Sequence, residues 1–263
     1  MGLTETSPAP VAGAEWALRC ELAAVYRLVD HFRMTDLIFT HISVRIPGPE
    51  HHFLINPYGL LFGEITASTL VKIDLDGNPV GPAGHPVNPA GFIIHSAIHA
   101  AREDAHCVLH THTKAGCAVA AQRDGLLPLN QISMQFHRRV GYHDYEGVAL
   151  SLAEQERLVA NLGGHPALIL RNHGLLTVGA TPGQAFLRMY YLEKACEIQL
   201  AAQSGAASLV LPPADVCERA ARQLTGEPLD ESAVDDFVDD QADALAWAAL
   251  RRLAGRIAPD LAS

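Results

Sequence analysis

His110-Thr111-His112 sets two imidazoles two residues apart within Cys107 to Thr113, a β-branched and apolar run that predicts a strand. Alternation along a strand turns both rings to one face, about 7 Å apart along the chain, which suits two ligands of one ion. Val108 and Leu109 make the run otherwise apolar, so buried histidines without a partner there would carry a desolvation cost. His173 stands where a second apolar run, Ala167 to Leu170, breaks at Asn172-His173-Gly174, and strand ends are where α/β folds place chemistry. Three imidazoles with an open fourth position are the pattern of a catalytic metal site rather than a structural one. H-x-H alone is a weak signal in a chain with 14 histidines, and spacing cannot find a third ligand this far away.

The elements that must hold these residues read as follows. Residues 1–14, rich in Pro, Ala, Gly, Ser and Thr, form a flexible lead-in, and 15–263 form a single domain. Leu18, Leu22, Val25, Val29 and Phe32 recur at helical spacing over Ala14 to Met34. Ile42, Val44 and Ile46 alternate as a strand; His52 to Ile55 begins another, closed by the turn Asn56-Pro57-Tyr58-Gly59. Thr66-Ala67-Ser68-Thr69 starts a short helix, Val71 to Asp74 is a strand, and Asp76-Gly77 a tight hairpin turn. An irregular loop over Gly81 to Pro89 precedes a helix over Gly91 to Arg102, and Lys114 to Ala121 is a small-residue helix after the H-x-H strand. Ser151-x-x-Glu154 caps a helix ending at Gly163-Gly164. Thr181-Pro182-x-Gln184 opens a long helix through Gln199, and an acidic stretch, Asp230 to Asp243, leads to a last helix at Trp247 to Leu253. Strands and helices mix around at least one hairpin, so the expected class is α/β with a sheet that is not purely parallel.

Composition narrows the function. The formal net charge is −10, from 19 Lys and Arg against 29 Asp and Glu. Without a basic stripe, nucleic acid and anionic membrane surfaces are not expected partners. No apolar run approaches the roughly 18 residues of a spanning helix, and Met1 to Ala14 lacks the charge and apolar core of a secretory signal. Five scattered cysteines without a C-x-x-C pair read as reduced thiols, hence a cytoplasmic protein.

From about Trp16 to Gln203 the chain resembles the class II aldolase/adducin family. The pieces that carry the resemblance are Val108-Leu-His-Thr-His-Thr113, Leu168-Ile-Leu-Arg-Asn-His-Gly174 and Leu192-Glu-Lys-Ala-Cys-Glu197. It implies a three-layer α/β fold, with a mixed, largely antiparallel central sheet flanked by helices. It implies that His110, His112 and His173 bind a divalent ion, Zn2+ foremost, with Mn2+ or Fe2+ as alternatives. In the family's aldolases and epimerases the ion polarises a carbonyl and stabilises an enediolate. The resemblance also implies a homo-oligomer, a tetramer with sites at subunit interfaces.

The departures are as informative. The Ser-Ser-Glu stretch that gives sugar-phosphate aldolases their acid/base carboxylate is here Pro89-Ala90-Gly91. The phosphate-binding Gly-Asn-x-Ser is Thr40-His41-Ile42-Ser43, the Thr-Gly phosphate turn is Asn56-Pro57-Tyr58-Gly59, and the tyrosine proton donor aligns near Ile132. These replacements look like the adducin branch, whose head domain is similar at Thr40-His-Ile-Ser-Val-Arg45, Phe53-Leu-Ile-Asn-Pro-Tyr-Gly59, Ala90-Gly-Phe92 and Tyr142-His-Asp-Tyr145. Adducin is a cytoskeletal protein whose actin and spectrin work depends on a lysine-rich tail, whereas the last stretch here is acidic.

The expected function is therefore a metal-dependent, lyase-type enzyme. It would perform aldol cleavage or decarboxylation on a small unphosphorylated hydroxy- or ketoacid, or on a sugar-derived carbonyl compound. The alternatives are a non-catalytic adducin-like scaffold or binding protein, and an Fe(II)-dependent oxygenase on the same three histidines. His95, with His99 on the same helix face, is either an acid/base candidate or a helix anchor; Tyr142 and His143, with Tyr145, are either a proton donor or a packed cluster. Asn88, Gln131 and Arg171 are substrate-binding candidates, against plain turn, loop and ion-pair roles.

Overall fold

A computed structural model of the chain describes residues 13–81, 85–147, 152–205, 208–226 and 242–263. The strands are β1 (His41–Arg45), β2 (Phe53–Ile55), β3 (Val71–Ile73), β4 (Cys107–Thr111), β5 (Val140–His143), β6 (Ala167–Leu170) and β7 (Gly174–Gly179). They form one sheet in the order β3-β2-β1-β4-β7-β6-β5. Every pairing is antiparallel except β5 with β6. The helices are α1 (Gly13–His31), α2 (Pro89–Ala101), α3 (Lys114–Ala120), α4 (Gln131–Met134), α5 (Leu152–Leu162), α6 (Pro182–Gln203), α7 (Ala214–Thr225) and α8 (Ala242–Ile257).

Strand alternation sorts the sheet's apolar residues onto two faces. Ile42, Val44, Cys107, Leu109, Ala167, Ile169 and Leu175 pack under α1, α3, α6 and α8 through Leu22, Val25, Val119, Phe186, Met189 and Ala254. Val108, Leu168, Leu170, Leu176 and Val178 take the other face, under Ile94 and Ile98 of α2 and Leu158 and Leu162 of α5. Helices on both faces of a mixed sheet make three layers. The same alternation sends Thr111 toward α6, where its hydroxyl donates to Met189 Sδ at 3.3 Å, and leaves His110 on the α2/α5 face.

Local chemistry sets the helix starts. The Thr181 hydroxyl accepts from Gln184 N–H at 3.1 Å, with Pro182 at the first helical position; such a cap stabilises a helix by about 1 kcal/mol. The Gln184 side chain closes back on Ala180 N–H at 2.9 Å, one residue ahead of the expected cap. Thr113 caps α3 by accepting from Gly116 N–H at 3.2 Å, and its own hydroxyl donates to the buried Glu193 carboxylate of α6. That link ties the end of the H-x-H strand to the long helix behind the sheet.

Several expectations are corrected. Thr66 to Thr69 makes a turn rather than the start of a helix, closed when the Thr69 hydroxyl donates to Thr66 O at 3.0 Å. The H-x-H strand ends at Thr111, so His112 lies just past it. Strands β5 and β7 and helices α4 and α7 were not expected. The lead-in 1–14 lies outside the described residues except Gly13 and Ala14, which already belong to α1. Ser151 of the capping box and most of the acidic stretch 230–243 also lie outside them.

Candidate metal centre

His110 occupies the penultimate position of the central strand β4, His112 follows its end, and His173 sits in the turn joining β6 to β7. The turn reverses through Asn172, whose φ of 56° is left-handed; Asn tolerates that conformation better than most residues. Gly174 then begins β7, which pairs with β4, so the H-x-H segment and His173 must meet. A methyl group on Gly174 would lie 2.4 Å from Thr111 O, 3.1 Å from His112 Cδ2 and 3.3 Å from His110 Cε1. Glycine is needed here because the backbone lies against both rings.

The three Nε2 atoms converge. His112 Nε2 lies 2.9 Å from His110 Nε2 and 2.9 Å from His173 Nε2, and all three fall within 4.8 Å of one another. Two of the rings have fixed tautomers. His110 Nδ1 donates to Leu175 O at 2.8 Å, and His112 Nδ1 to Asp36 Oδ2 at 2.9 Å. In their neutral forms both rings then present Nε2 lone pairs to each other, a repulsive arrangement that a shared cation relieves. Burial, then the neighbouring His173 and His112, holds His110 well below its ordinary value. Burial, then His112 and His143, pushes His173 down to about 4. Neutral imidazole is the ligating form. The two 2.9 Å separations are slightly below the ~3.3 Å given by two ~2.05 Å bonds at a tetrahedral angle. An all-imidazole set suits zinc and iron. The residues present therefore fit a divalent ion.

More histidines lie behind the first. His41 pairs with His110 across β1 and β4, and its ring centroid is 5.6 Å from that of His110 and 4.7 Å from that of His95. Ser43 Oγ lies 2.7 Å from both His95 Nδ1 and His99 Nε2, and His99 Nδ1 donates to Ala105 O at 2.9 Å. That last bond makes His99 Nε2 an acceptor, so Ser43 donates to it and accepts from His95. Both nitrogens of His41 and Nε2 of His95 are buried with no hydrogen-bond partner among the described residues. Burial lowers His41 and His99 to about 3 each, and His95 well below its usual range. His95 and His99 thus anchor α2 to β1, and the His41 ring packs against both His95 and His110 of the triad.

The other candidates separate. His143, Arg171 and Tyr145 line a small cavity with His173, Asp144 and Glu154. Asn161 donates to His143 Nδ1 at 3.0 Å, so His143 Nε2–H faces the buried Glu154 carboxylate at 3.4 Å. Arg171 donates to Gln122 O at 2.6 Å and to Arg123 O at 3.3 Å, and its guanidinium lies 4.3 Å above the Tyr142 ring. The Tyr142 hydroxyl accepts from Leu126 N–H at 3.1 Å, and burial raises its pKa. Tyr142 and the Arg171 head group are thus occupied in holding loops together. Asn88 immediately precedes α2, and Gly91 lies in that helix's first turn. Gln131 borders a different cavity, beside Gln184 and Arg188.

The chain as a whole has known relatives. The family model described as Class II Aldolase and Adducin N-terminal domain matches residues 20–200. The chain belongs to this family. A putative aldolase class 2 protein of Caulobacter vibrioides is 55% identical over 215 residues, covering 81% of this chain and 84% of that one. The crystal structure of an aldolase II superfamily protein from Pseudomonas syringae superposes with a TM-score of 0.87 at 51% identity, covering 96% of this chain and 98% of the other. Alpha-adducin of Rattus norvegicus is 48% identical over 203 residues, which are 75% of this chain but 28% of adducin. The class II aldolase/adducin fold expected from the resemblance is the one observed.

Within this aldolase/adducin frame, sequence reading missed three groups. Asp36 lies on a loop with no motif. Glu154 read only as a helix cap. His41 read only as a replaced phosphate-site residue, although its β1 register opposite His110 places it against the triad.

Proposed function

We propose that the chain is a divalent-metal-dependent enzyme of lyase type. Its substrate would be a small hydroxy- or ketoacid, or a related carbonyl compound without phosphate, and His110, His112 and His173 would hold the ion. The observation that carries this reading is the meeting of three Nε2 atoms, two of them on rings whose Nδ1–H is already committed. When bound, the ion supplies Lewis-acid polarisation of a carbonyl oxygen. The protein's own contribution is a cavity beside His173 that carries the acids Glu154 and Asp144 together with His143 and Tyr145. A buried acid there supports an enzyme despite Gly91, because Glu154 of α5 offers a carboxylate in place of the one that the sugar-phosphate aldolases carry at the position of Gly91 in α2.

Zinc is the proposed ion, with manganese or iron as alternatives. Elemental analysis of untagged protein, purified without chelators, tests the site. About one ion per chain, lost in His110→Ala and His173→Ala, is expected. Metal content no higher than in those variants, even after soaking, would defeat the proposal. Bound iron rather than zinc would turn the assay toward oxygen chemistry.

The second reading is a non-catalytic adducin-like scaffold, favoured by the 48% identity to alpha-adducin and by the missing family carboxylate at Gly91. A metal-free protein inert toward hydroxy- and ketoacids would support it. The proposal also includes a cytoplasmic location, in keeping with five free cysteines, and among the described residues no helix is long and apolar enough to cross a membrane. A homotetramer is part of the same reading, and light scattering on the purified protein would establish or remove it.

A further inference from the structure

We propose that Asp36 is a positioning residue of the metal centre, holding the His112 ring by its Nδ1 proton so that Nε2 points at the ion. The inference rests on the metal reading above and adds to it a residue that no motif contains.

The geometry gives Asp36 an indirect role. Its Oδ2 meets His112 Nδ1 at 2.9 Å, on the far side of the ring from the Nε2 that faces His110 and His173. Among the described residues, the group close enough to share one ion contains the three histidines and no carboxylate. Asp36 therefore acts through the ring. A carboxylate behind a ligating imidazole fixes its tautomer and plane and makes the ring a stronger donor. His110 receives a neutral version of this support from the Leu175 carbonyl. The two supports differ in charge: a backbone carbonyl stands behind His110 and a carboxylate behind His112.

The loop that carries Asp36 has an unusual backbone. Arg33, Leu37 and Thr40 all adopt left-handed φ values, of 59°, 48° and 66°. Non-glycine residues rarely do so, and aliphatic ones least readily. Phe39 N–H closes the turn on Asp36 O at 2.8 Å. Burial does not explain it, since Leu37 is 69% exposed. What the turn accomplishes is to bring the Asp36 carboxylate, itself 41% exposed, against His112 at the rim of the triad. A plain surface ion pair would need no such backbone, and surface pairs contribute little.

Zinc affinity, measured by competition with a chromophoric chelator at one fixed pH near 8, tests the assignment on wild type, Asp36→Ala, Asp36→Asn and Asp36→Glu. Asp36→Ala should weaken zinc binding by about 10- to 100-fold. Asp36→Asn should weaken it less, because the amide oxygen still accepts the Nδ1 proton, and Asp36→Glu should recover part of the loss. The metal-free proteins should melt together, which a structural role for Asp36 would not allow. Nitrogen-15 spectra of the metal-free wild type should show His112 protonated on Nδ1, and Asp36→Ala should lose that preference. Equal zinc affinity in wild type and Asp36→Ala would overturn the role of Asp36 while leaving the metal site standing. No zinc on the wild type would overturn the metal reading, and this inference with it. Should Asp36→Ala fail to fold, Asp36→Asn decides by the same affinity comparison.

Discussion

His112 Nε2 and His173 Nε2 lie 2.9 Å apart although 61 residues separate them in the chain. With His110 Nε2 also 2.9 Å from His112 Nε2 and burial keeping His110 and His173 neutral, the cluster is a poor place for protons and a good one for a divalent cation. A ligand that binds only the folded state stabilises it by about 2.7 kcal/mol at a hundred times its dissociation constant. For a chain of this size that is roughly 5–10 °C in melting temperature. Zinc added to chelator-stripped protein should produce such a rise, and His173→Ala should abolish it. An unchanged melting curve for the wild type across saturating zinc would count against a site on these histidines.

Gly174→Ala tests whether the β6–β7 turn assembles the centre. The new methyl would meet the Thr111 carbonyl at 2.4 Å, backbone that cannot swing aside, and both ring edges of the H-x-H pair. Overpacking of this kind costs about 1–3 kcal/mol. The variant should unfold at lower urea concentration and bind zinc more weakly than wild type. Wild-type stability together with wild-type zinc affinity would show that the turn yields without disturbing the ligands.

Much of this centre was legible in residue types. Period two put His110 and His112 on one face, and the apolar run ending at Leu170 marked the position of His173. The return strand β7 was not legible, because Gly174 to Gly179 is buried at every position and a short, wholly buried run shows no alternation to read. Asn172-His173-Gly174 therefore read as a break instead of a turn between paired strands. Thr181 and Pro182 announced α6 because a cap is a local interaction. Asp36 could not be found, since left-handed Leu37 and Thr40 carry no glycine signal, and the contact spans 76 residues. Glu154 looked like a helix cap because its partner His143 lies on β5, a strand whose Gly141 and Tyr142 gave it no clear pattern.

The buried His99 should make the protein acid-sensitive. Burial, helped by Arg45 and His106, depresses its pKa from about 6.5 to about 3 against the opposing pull of the Ala105 carbonyl, which accepts from its Nδ1–H. The basic groups facing it are Arg45, which donates to the His99 carbonyl, His106, and His95 across Ser43. Between those two pKa values the unfolded chain binds a proton that the folded chain refuses, so stability rises with pH across the window. The contribution is complete above about pH 6.5 and is lost as pH falls toward 3. Metal-free protein should therefore melt lower at pH 5 than at pH 7.5, and His99→Gln should flatten that slope even where it lowers overall stability. A wild-type melting temperature independent of pH over this range would contradict the neutral, buried state of this ring.

Glu154→Gln separates chemistry from assembly at the cavity beside His173. The carboxylate is 7% exposed and faces His143 Nε2–H at 3.4 Å, while Asn161 fixes the other face of that ring. Glutamine keeps the size and one acceptor but cannot take up a proton. If this carboxylate does the acid/base work that Gly91 cannot, turnover of any hydroxy- or ketoacid found active should fall about 10²- to 10⁴-fold. Metal content should stay at the wild-type level, because Glu154 lies outside the group of possible ligands. Retained turnover would assign the proton transfer to another group at the cavity. Joint loss of turnover and metal would instead make Glu154 part of what holds the histidines in place.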